Sequence, residues 1–122
     1  MAKEQNKQKG DIGEQIAMDY LVKKGYRILK RNFRCKFGEI DIVAKKGKTI
    51  TFVEVKTKTS NELGSPEEMV DDHKMEKIGG MIEYFLSLIK TKPEPDVQVD
   101  VIAVEINAGG ELLELRHLEN FG

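Results

Sequence analysis

Two apolar, β-branched runs separated by a short turn form the centre of this chain. Residues 38–44 read Gly-Glu-Ile-Asp-Ile-Val-Ala, and residues 50–56 read Ile-Thr-Phe-Val-Glu-Val-Lys. Such runs on both sides of a Lys-Lys-Gly-Lys turn predict a β-hairpin. Asp41, Glu54 and Lys56 interrupt the apolar pattern, and charged side chains are seldom buried without a partner or a metal ion. The hairpin therefore predicts a charged site inside a sheet.

The pairing register of this hairpin decides whether the charges meet. If the turn is centred between its glycine and the next lysine, Val43 lies opposite Phe52. Asp41 then lies opposite Glu54, and directly opposite residues share one face of the sheet. A three-residue loop would shift the register by one and separate the two carboxylates. The even register is favoured, and it sets them about 5.5 Å apart at Cβ.

Two carboxylates this close predict a cation between them. Like charges at such a separation are unfavourable, and carboxylate oxygens with a backbone carbonyl suit Mg²⁺. Lys56 shares the face of Glu54 because side chains alternate along a strand. Glu39 lies opposite Lys56, where it either fixes the ammonium group or forms an ion pair at the strand edge. The alternative for the whole group is a surface sheet face with a Glu–Lys ion pair.

The spacing of Asp41 and Glu54-Val55-Lys56 resembles the PD-(D/E)xK signature of restriction-endonuclease-like nucleases. A wider ordered set resembles the YraN-like family of small uncharacterised bacterial proteins, which in turn resembles archaeal Holliday junction resolvases. The set comprises Gly13-Glu14, Gly38-Glu39-Ile40-Asp41, Phe52-Val53-Glu54-Val55-Lys56-Thr57, Leu63-Gly64-Ser65-Pro66 and Lys74. The chain departs from the family at Gln98-Val99, where an Arg and an aromatic residue usually precede Asp100.

The resemblance implies a metal-dependent endonuclease that hydrolyses DNA phosphodiesters, with branched or repair intermediates as substrates. Asp41 and Glu54 would bind Mg²⁺ or Mn²⁺, and the carbonyl of Val55 would be a third ligand. Lys56 would orient the nucleophile or stabilise the transition state, and Glu14 would complete the site or hold a second ion. Resolvases cut a junction symmetrically as dimers, so the resemblance also implies a homodimer.

Glu14 and Lys74 each have a second interpretation. Glu14 follows Asp11 by three residues, which is the spacing of a capping box. It also precedes Ala17 and Leu21 by three and seven positions, which places it on the inward helix face. Lys74 borders an apolar stripe, where a lysine that extends its ammonium group to solvent is the alternative to an auxiliary site residue.

Positive charge is concentrated around the candidate site. Residues 23–58 contain twelve Lys or Arg and three Asp or Glu, whereas the rest of the chain contains eight basic and eighteen acidic residues. Because phosphates are held largely by Lys and Arg, this segment predicts DNA binding. A solvated run of surface charge is the alternative. The candidate phosphate-binding residues are Arg31, Arg34, Lys36, Lys45, Lys46, Lys48 and Lys58.

Composition limits the remaining classes of function. The 122 residues suffice for one domain, expected at 10–122, after a disordered basic segment at 1–9. No apolar run is long enough for a transmembrane helix, and the start of the chain lacks a signal-peptide pattern. The lone Cys35 favours a cytoplasmic location, although its basic surroundings leave a nucleophilic role open. His73 and His117 are interpreted as structural or exposed, and no zinc spacing is present.

Periodicity and turn signals predict an α/β fold in the order α-βββ-α-ββ. A mixed sheet flanked by helices is the core expected of a resolvase-like nuclease. Gly79-Gly80 predicts either close packing of the second helix or a break in it. The expected elements are a helix at Asp11–Lys24, strands at Tyr26–Phe33, Gly38–Lys45 and Thr49–Lys58, a helix from Ser65 to about Lys90, and strands at Val97–Ile106 and Glu111–Leu118.

Two further classes of function remain open beside the nuclease. The first is a nucleic-acid-binding module that keeps the nuclease scaffold without cutting. The second is a structural partner protein that docks through its acidic C-terminal half. Two facing carboxylates argue against a pure binding role, and dependence on Mg²⁺ distinguishes the three.

Overall fold

The computed structural model describes residues 2–60, 72–90 and 92–120. The described elements follow the predicted order α-βββ-α-ββ, so the predicted α/β class is confirmed. The arrangement is consistent with a restriction-endonuclease-like fold. The elements are α1 (Ala2–Lys23), β1 (Arg27–Cys35), β2 (Gly38–Lys46), β3 (Thr49–Thr59), α2 (Asp72–Ile89), β4 (Asp96–Ile106) and β5 (Leu112–Leu118).

The five strands form one mixed sheet in the order β1-β2-β3-β4-β5. The β1–β2, β2–β3 and β4–β5 pairs are antiparallel and follow short turns. The β3–β4 pair is parallel, and its connection contains α2, because parallel strands need a long crossover connection. The two central strands β3 and β4 are therefore the most enclosed part of the sheet.

Two separate apolar clusters show that the helices cover different parts of the sheet. Under α1, Ala17 and Leu21 pack on alternate residues of β3 and β4 such as Val53 and Ile102. The second cluster joins three buried residues of α2 to five of the first three strands. Its members are Phe33, Ile40, Val43, Ile50, Phe52, Ile78, Met81 and Phe85. Alternation along β3 explains the division, since Phe52 and Val53 belong to different clusters.

The start of the chain differs from the prediction. We expected disorder at residues 1–9 and a helix from Asp11, but α1 begins at Ala2. The initial Lys, Glu and Gln residues are good helix formers, which accounts for the earlier start of the helix. The capping-box interpretation of Glu14 is therefore wrong, because Asp11 lies inside the helix and not at its start.

The second helix is continuous across its glycine pair. A Cβ added at Gly80 would come within 2.9 Å of the Phe37 ring, whereas one at Gly79 would meet nothing within 4 Å. Close packing is thus the correct alternative for Gly80, which lets α2 approach the turn between β1 and β2. The predicted helix start at Ser65 and the segment Leu63-Gly64-Ser65-Pro66 lie outside the described residues.

Neither of the two described helices is long and apolar enough to cross a membrane.

Candidate functional site

The register of the central hairpin is the predicted one. Val43 lies opposite Phe52, and the β2–β3 pairing ends at Ile42 and Val53. Asp41 and Glu54 are the next residue on each strand. The two acidic residues therefore lie directly beyond the last paired residues of β2 and β3.

The β1–β2 hairpin changes faces at Asp41. Ile42 belongs to the cluster under α1, whereas Ile40, two residues earlier, belongs to the cluster under α2. Strict alternation would place both on one face. Across from this point, Asn32 has a φ of 52°, the left-handed conformation that Asn tolerates better than most residues. The left-handed conformation of Asn32 therefore accounts for the break in side-chain alternation at this point.

Asp41 is held by the neighbouring strand and perturbed by its surroundings. Its Oδ2 accepts a hydrogen bond from the backbone N–H of Val55 at 2.8 Å. Burial and, after it, the nearby carboxylate of Glu54 together raise the pKa of Asp41 to about 7, against the opposing effect of the Val55 hydrogen bond. A carboxyl group that resists ionisation beside a second carboxylate is a site that a cation would stabilise.

Glu54 and Lys56 form the β3 part of the site. Glu54 is only 2 % exposed, and its Oε2 lies 3.6 Å from Nζ of Lys56. The ammonium group, on a side chain 24 % exposed, bridges the buried carboxylate and solvent. The ammonium group of Lys56 is therefore accessible to a ligand while it remains next to the acidic residues.

Glu14 joins the same electrostatic group from α1. Burial raises the pKa of Glu14, Arg31 lowers it, and the carboxylates of Glu39 and Glu54 raise it. Nε of Arg31 lies 3.9 Å from Oε1 of Glu14. Helix, β2 and β3 therefore all contribute acidic side chains to one region, as the inward helix face of Glu14 predicted.

Gly13 allows α1 to pack closely against β3. A Cβ added at Gly13 would lie 1.7 Å from Oγ1 of Thr57, so only glycine allows this helix to rest on β3. The neighbouring Glu14 is brought to the sheet by the same contact. Glycine before a helix glutamate is a signal that sequence can show, but the close approach that gives it meaning is tertiary.

Asn32 is a site residue that the sequence analysis missed. With its amide nitrogen toward the carboxylates, the orientation that satisfies the network, it donates to Oε1 of Glu14 at 2.9 Å and to Oε1 of Glu39 at 3.2 Å. An Asn inside a β-strand pattern, where this residue is depleted, was the available signal.

Glu39 has a different partner from the one that strand spacing suggested. Its Oε2 lies 3.2 Å from Nε of Arg34, and both side chains are well exposed. Lys56 pairs instead with Glu54. The strand-edge ion pair is thus the arrangement that Glu39 adopts.

The predicted phosphate-binding residues lie in three places: along β1 and just after it, on β3, and at the β2–β3 turn. Arg31, Arg34 and Lys36 lie on β1 or just after it, close to the acidic group or the adjoining turn. Lys58 lies two residues beyond Lys56, and its Nζ is 3.6 Å from Oε1 of Glu105. The remaining three lie at or beside the β2–β3 turn. The first of them is four residues along β2 from Asp41, a distance of about 13 Å. They are Lys45, Lys46 and Lys48.

Some predicted residues contribute no contact to this account. The side chains of His73 and Lys74 lie outside the described residues. For Val55 the observed contact is its N–H to Asp41, and a ligand role for its carbonyl stays a prediction. Cys35 is a half-buried free thiol at the end of β1.

A second group that could hold a metal ion lies on β4 and β5. One ligand atom each of Asp100, His117 and Glu119 lies within 4.8 Å of the others. Sequence spacing gave no indication of this group, because the residues are separated along the chain and meet through strand pairing. His117, interpreted as structural or exposed, is therefore hydrogen-bonded rather than exposed.

The donor set around Asp41 suits a hard divalent cation. Carboxylate oxygens are the ligands that Mg²⁺ and Mn²⁺ prefer. The three acidic side chains make ionisation of one another less favourable, so a bound cation would stabilise their ionised forms. The residues present therefore fit such an ion, and Asp41 with Glu54 would hold it.

Comparison with known proteins identifies relatives along nearly the whole chain. The model of the uncharacterised protein family UPF0102 matches residues 13–104. A UPF0102 protein of Caldanaerobacter subterraneus subsp. tengcongensis is 43 % identical over 121 residues, covering 98 % of each chain. One from Clostridium acetobutylicum is 44 % identical over 115 residues, covering 94 % of this chain and 93 % of the relative.

Two solved structures show weaker similarity. An fdxN element excision controlling factor protein from Anabaena variabilis is 13 % identical with a TM-score of 0.37, covering 86 % of this chain and 98 % of the other. Pyrococcus furiosus SfsA in complex with Ca²⁺ is 16 % identical with a TM-score of 0.39, covering 93 % and 63 %. At these TM-scores the similarities carry no argument about function.

Proposed function

The chain belongs to the uncharacterised protein family UPF0102, the YraN-like family, and we propose that it is a metal-dependent endonuclease that hydrolyses DNA phosphodiesters. The observation that supports this most directly is the Asp41 carboxyl group, whose pKa is raised to about 7 by burial and by Glu54. Strongly perturbed ionisable groups cluster at functional sites. A structural ion pair has no need of a second carboxylate beside the first.

The acidic side chains bind the cofactor in this proposal. Asp41 and Glu54 hold Mg²⁺ or Mn²⁺, with the Val55 carbonyl as a third ligand, and Glu14 completes the site from α1. The bound ion supplies Lewis-acid polarisation of the phosphate and activation of water. The Val55 N–H fixes one oxygen of Asp41, which orients the carboxylate toward the ion.

Lys56 acts on the reacting phosphate. Its ammonium group is partly exposed and lies 3.6 Å from the buried Glu54 carboxylate, which holds it in the site. Positive charge at this position stabilises the charge that develops on the phosphate, or orients the attacking water. Glu54 therefore has two roles, as a ligand and as the group that positions Lys56.

The substrate class follows from charge and from the family resemblance. Basic side chains of β1 adjoin the acidic group, and phosphodiester backbones are bound largely by such charges. Branched DNA and repair intermediates are the proposed preference, with a homodimer that cuts two strands symmetrically.

Cleavage of a panel of duplex, nicked, branched and single-stranded DNA tests the proposal. Each substrate is incubated with Mg²⁺, with Mn²⁺ and with EDTA. We expect cleavage only with a divalent ion. Lys56→Ala should lower the rate at saturating DNA about 10²–10³-fold, because it removes a charge that acts in the transition state. DNA affinity should change little, since one phosphate contact alters the salt slope by about one.

Lys58→Ala is the matched control. Lys58 lies two residues further along β3, is similarly exposed, and pairs with a glutamate at the same 3.6 Å distance. It should keep the wild-type rate. DNA binding without metal-dependent cleavage in the wild type would identify a non-catalytic binding module instead. Equal rates for both variants would show that Lys56 is only an ion-pair partner.

A further inference from the structure

The side chains of Asp100, His117 and Glu119 form a second group of potential metal ligands. They lie on β4, on β5 and directly after β5, whereas the first site is formed by α1, β2 and β3. Asp100 lies on β4 with no solvent exposure, and His117 lies on β5 with its side chain 10 % exposed. Glu119 follows β5 and is exposed. Their potential ligand atoms lie within 4.8 Å of one another, so the group is buried on one side and open to solvent at Glu119.

The atoms that face away from the centre of this group are already held. The hydroxyl group of Tyr20 lies 2.9 Å from Nδ1 of His117. Oδ1 of Asp100 accepts from Nε2 of Gln98 at 2.9 Å and from the Asn120 N–H at 3.1 Å. Metal sites are built in this way, with the second ring nitrogen and the second carboxylate oxygen fixed by other groups.

The two atoms that remain face each other. Nε2 of His117 lies 2.6 Å from Oδ2 of Asp100, and in the tautomer that carries its proton on Nε2 the imidazole donates to this oxygen. The Tyr20 hydroxyl donates to Nδ1 in that state. A hydroxyl group can equally accept from Nδ1–H, which frees the Nε2 lone pair. Burial and the nearby carboxylates raise the pKa of Tyr20, so the phenol is retained in either arrangement.

We propose that Asp100, His117 and Glu119 form a binding site for a divalent transition metal ion. The metal takes the place of the proton between Nε2 of His117 and Asp100, and the imidazole carries its single proton on Nδ1, facing the Tyr20 hydroxyl group. The ligands are the imidazole Nε2, Oδ2 of Asp100 and the Glu119 carboxylate. One nitrogen and two oxygens suit Zn²⁺, whereas Mg²⁺ prefers oxygen ligands alone. The site shares no residue with the carboxylates of Asp41 and Glu54, and it does not depend on the proposed nuclease activity.

A bound ion would join three parts of the chain. Asp100 belongs to β4, His117 to β5, and Glu119 to the residues that follow. The contact from Asn120 to Asp100 already brings this last segment to the sheet. The metal would therefore fasten the C-terminal segment to the centre of the sheet.

Calorimetric titration of the untagged full chain with Zn²⁺ tests the site. The Asp41→Asn chain serves as background, so that zinc at the first site does not contribute. We expect one zinc ion per chain at this site. Glu119→Gln should weaken zinc binding about tenfold or more without loss of the fold, because Glu119 is exposed.

Glu111→Gln is the control, since Glu111 is also exposed and lies in the preceding turn. It should bind zinc as the background chain does. Zinc affinity in Glu119→Gln equal to that of the control would overturn the proposal. His117→Gln removes the nitrogen ligand, so it should also weaken zinc binding relative to the background chain. Each result is independent of DNA cleavage.

Discussion

The pKa of Asp41 is raised to about 7 because a sheet interior withholds the water that an ionised carboxylate needs. A second carboxylate, Glu54, adds repulsion, and one backbone N–H only partly compensates. Folding therefore favours the protonated form of this group. Deprotonation at neutral pH costs stability, which is the usual relation between a binding site and the fold that contains it.

Asp41→Asn should make the free energy of unfolding less dependent on pH. In the wild type without divalent metal, the contribution of Asp41 to stability is greatest below pH 3.8, the ordinary pKa of an aspartate, where this group is protonated in both the folded and the unfolded state. It falls as pH rises from there to about 7 and levels off above. The variant lacks this loss, so it should be more stable than wild type by roughly 2–4 kcal/mol at pH 8, after allowance for partial exposure. Urea unfolding in EDTA at several pH values measures the difference.

Asp19→Asn provides the comparison, because Asp19 is an exposed carboxylate on α1. Its unfolding free energy should follow the wild type across the pH range. Parallel curves for wild type and Asp41→Asn would show that Asp41 ionises normally in the folded protein.

Asn32 combines an unusual backbone conformation with hydrogen bonds to two carboxylates. Asn32→Gly keeps the φ of 52° accessible but removes the amide that contacts Glu14 and Glu39. We expect stability within about 1 kcal/mol of wild type and Mg²⁺ affinity lowered about 10–100-fold, as for other groups that orient a ligand. Calorimetry and urea unfolding measure the two effects separately.

Asn32→Ala separates the backbone from the side chain. It lacks the amide and must also adopt the left-handed conformation, which costs a further ~1–2 kcal/mol. If the Gly variant binds Mg²⁺ as wild type does, the amide does not position the carboxylates.

Helix α1 lies close to β3 at a glycine. A Cβ at Gly13 would meet Thr57, and Ala17 and Leu21 further along the helix pack on the same sheet. Glu14 follows Gly13 directly, so the contact that seats the helix also delivers a site residue. Packing and site geometry are coupled at the level of this element.

Gly13→Ala should destabilise the protein although alanine is the better helix former. A Cβ would lie 1.7 Å from Oγ1 of Thr57, so helix or strand must shift. Overpacking of this kind costs about 1–3 kcal/mol, and the shift should also displace Glu14 and slow any metal-dependent cleavage. Thermal unfolding and DNA cleavage measure the two effects.

Gly79→Ala is the opposite case on the other helix. A Cβ at Gly79 would meet nothing within 4 Å, so the intrinsic preference of about 1 kcal/mol for alanine should stabilise α2. A stabilising Gly13→Ala would contradict the close approach of α1 to β3.

The distribution of charge is a property of the whole molecule. The formal net charge is −1, although residues 23–58 are strongly basic. Folding disperses these charges, because Lys58 pairs with Glu105 and the β2–β3 turn lies at the far end of its strands from the carboxylates. DNA long enough to contact both the carboxylate site and the β2–β3 turn would be held at the turn by charges that do not take part in the reaction.

Reversal of the three turn lysines should weaken DNA binding and spare the chemistry. The variant carries Lys45→Glu, Lys46→Glu and Lys48→Glu. If each lysine contacts one phosphate, the slope of log affinity against log salt should decrease by about three, with the cleavage rate at saturating DNA within about twofold of wild type. DNA affinity and cleavage at two or more salt concentrations measure both quantities.

A variant with three reversed lysines outside the basic segment controls for net charge. Lys77, Lys90 and Lys92 are exposed on or after α2. Equal losses of DNA affinity in the two variants would mean that net charge, rather than the turn, governs binding.

Local sequence determined the central hairpin and most element types. Turn residues between two β-branched runs set the register that brings Val43 opposite Phe52, because a two-strand register depends on residues close along the chain. That register was enough to predict Asp41 and Glu54 as neighbours. The start of the first helix was predicted at Asp11, whereas α1 begins at Ala2, because good helix formers extend it beyond its amphipathic part.

Tertiary structure alone decided the contacts between distant segments. Tyr20 and His117 are separated by 97 positions, yet their side chains form a hydrogen bond. The amide of Asn32 reaches Glu14 only because a left-handed residue turns β1 and a glycine admits α1. Periodicity reports which face a residue occupies on its own element, whereas packing between elements decides what that face meets. For this reason the sequence predicted the acidic pair, and only the fold revealed the groups that hold it and the second site on β4 and β5.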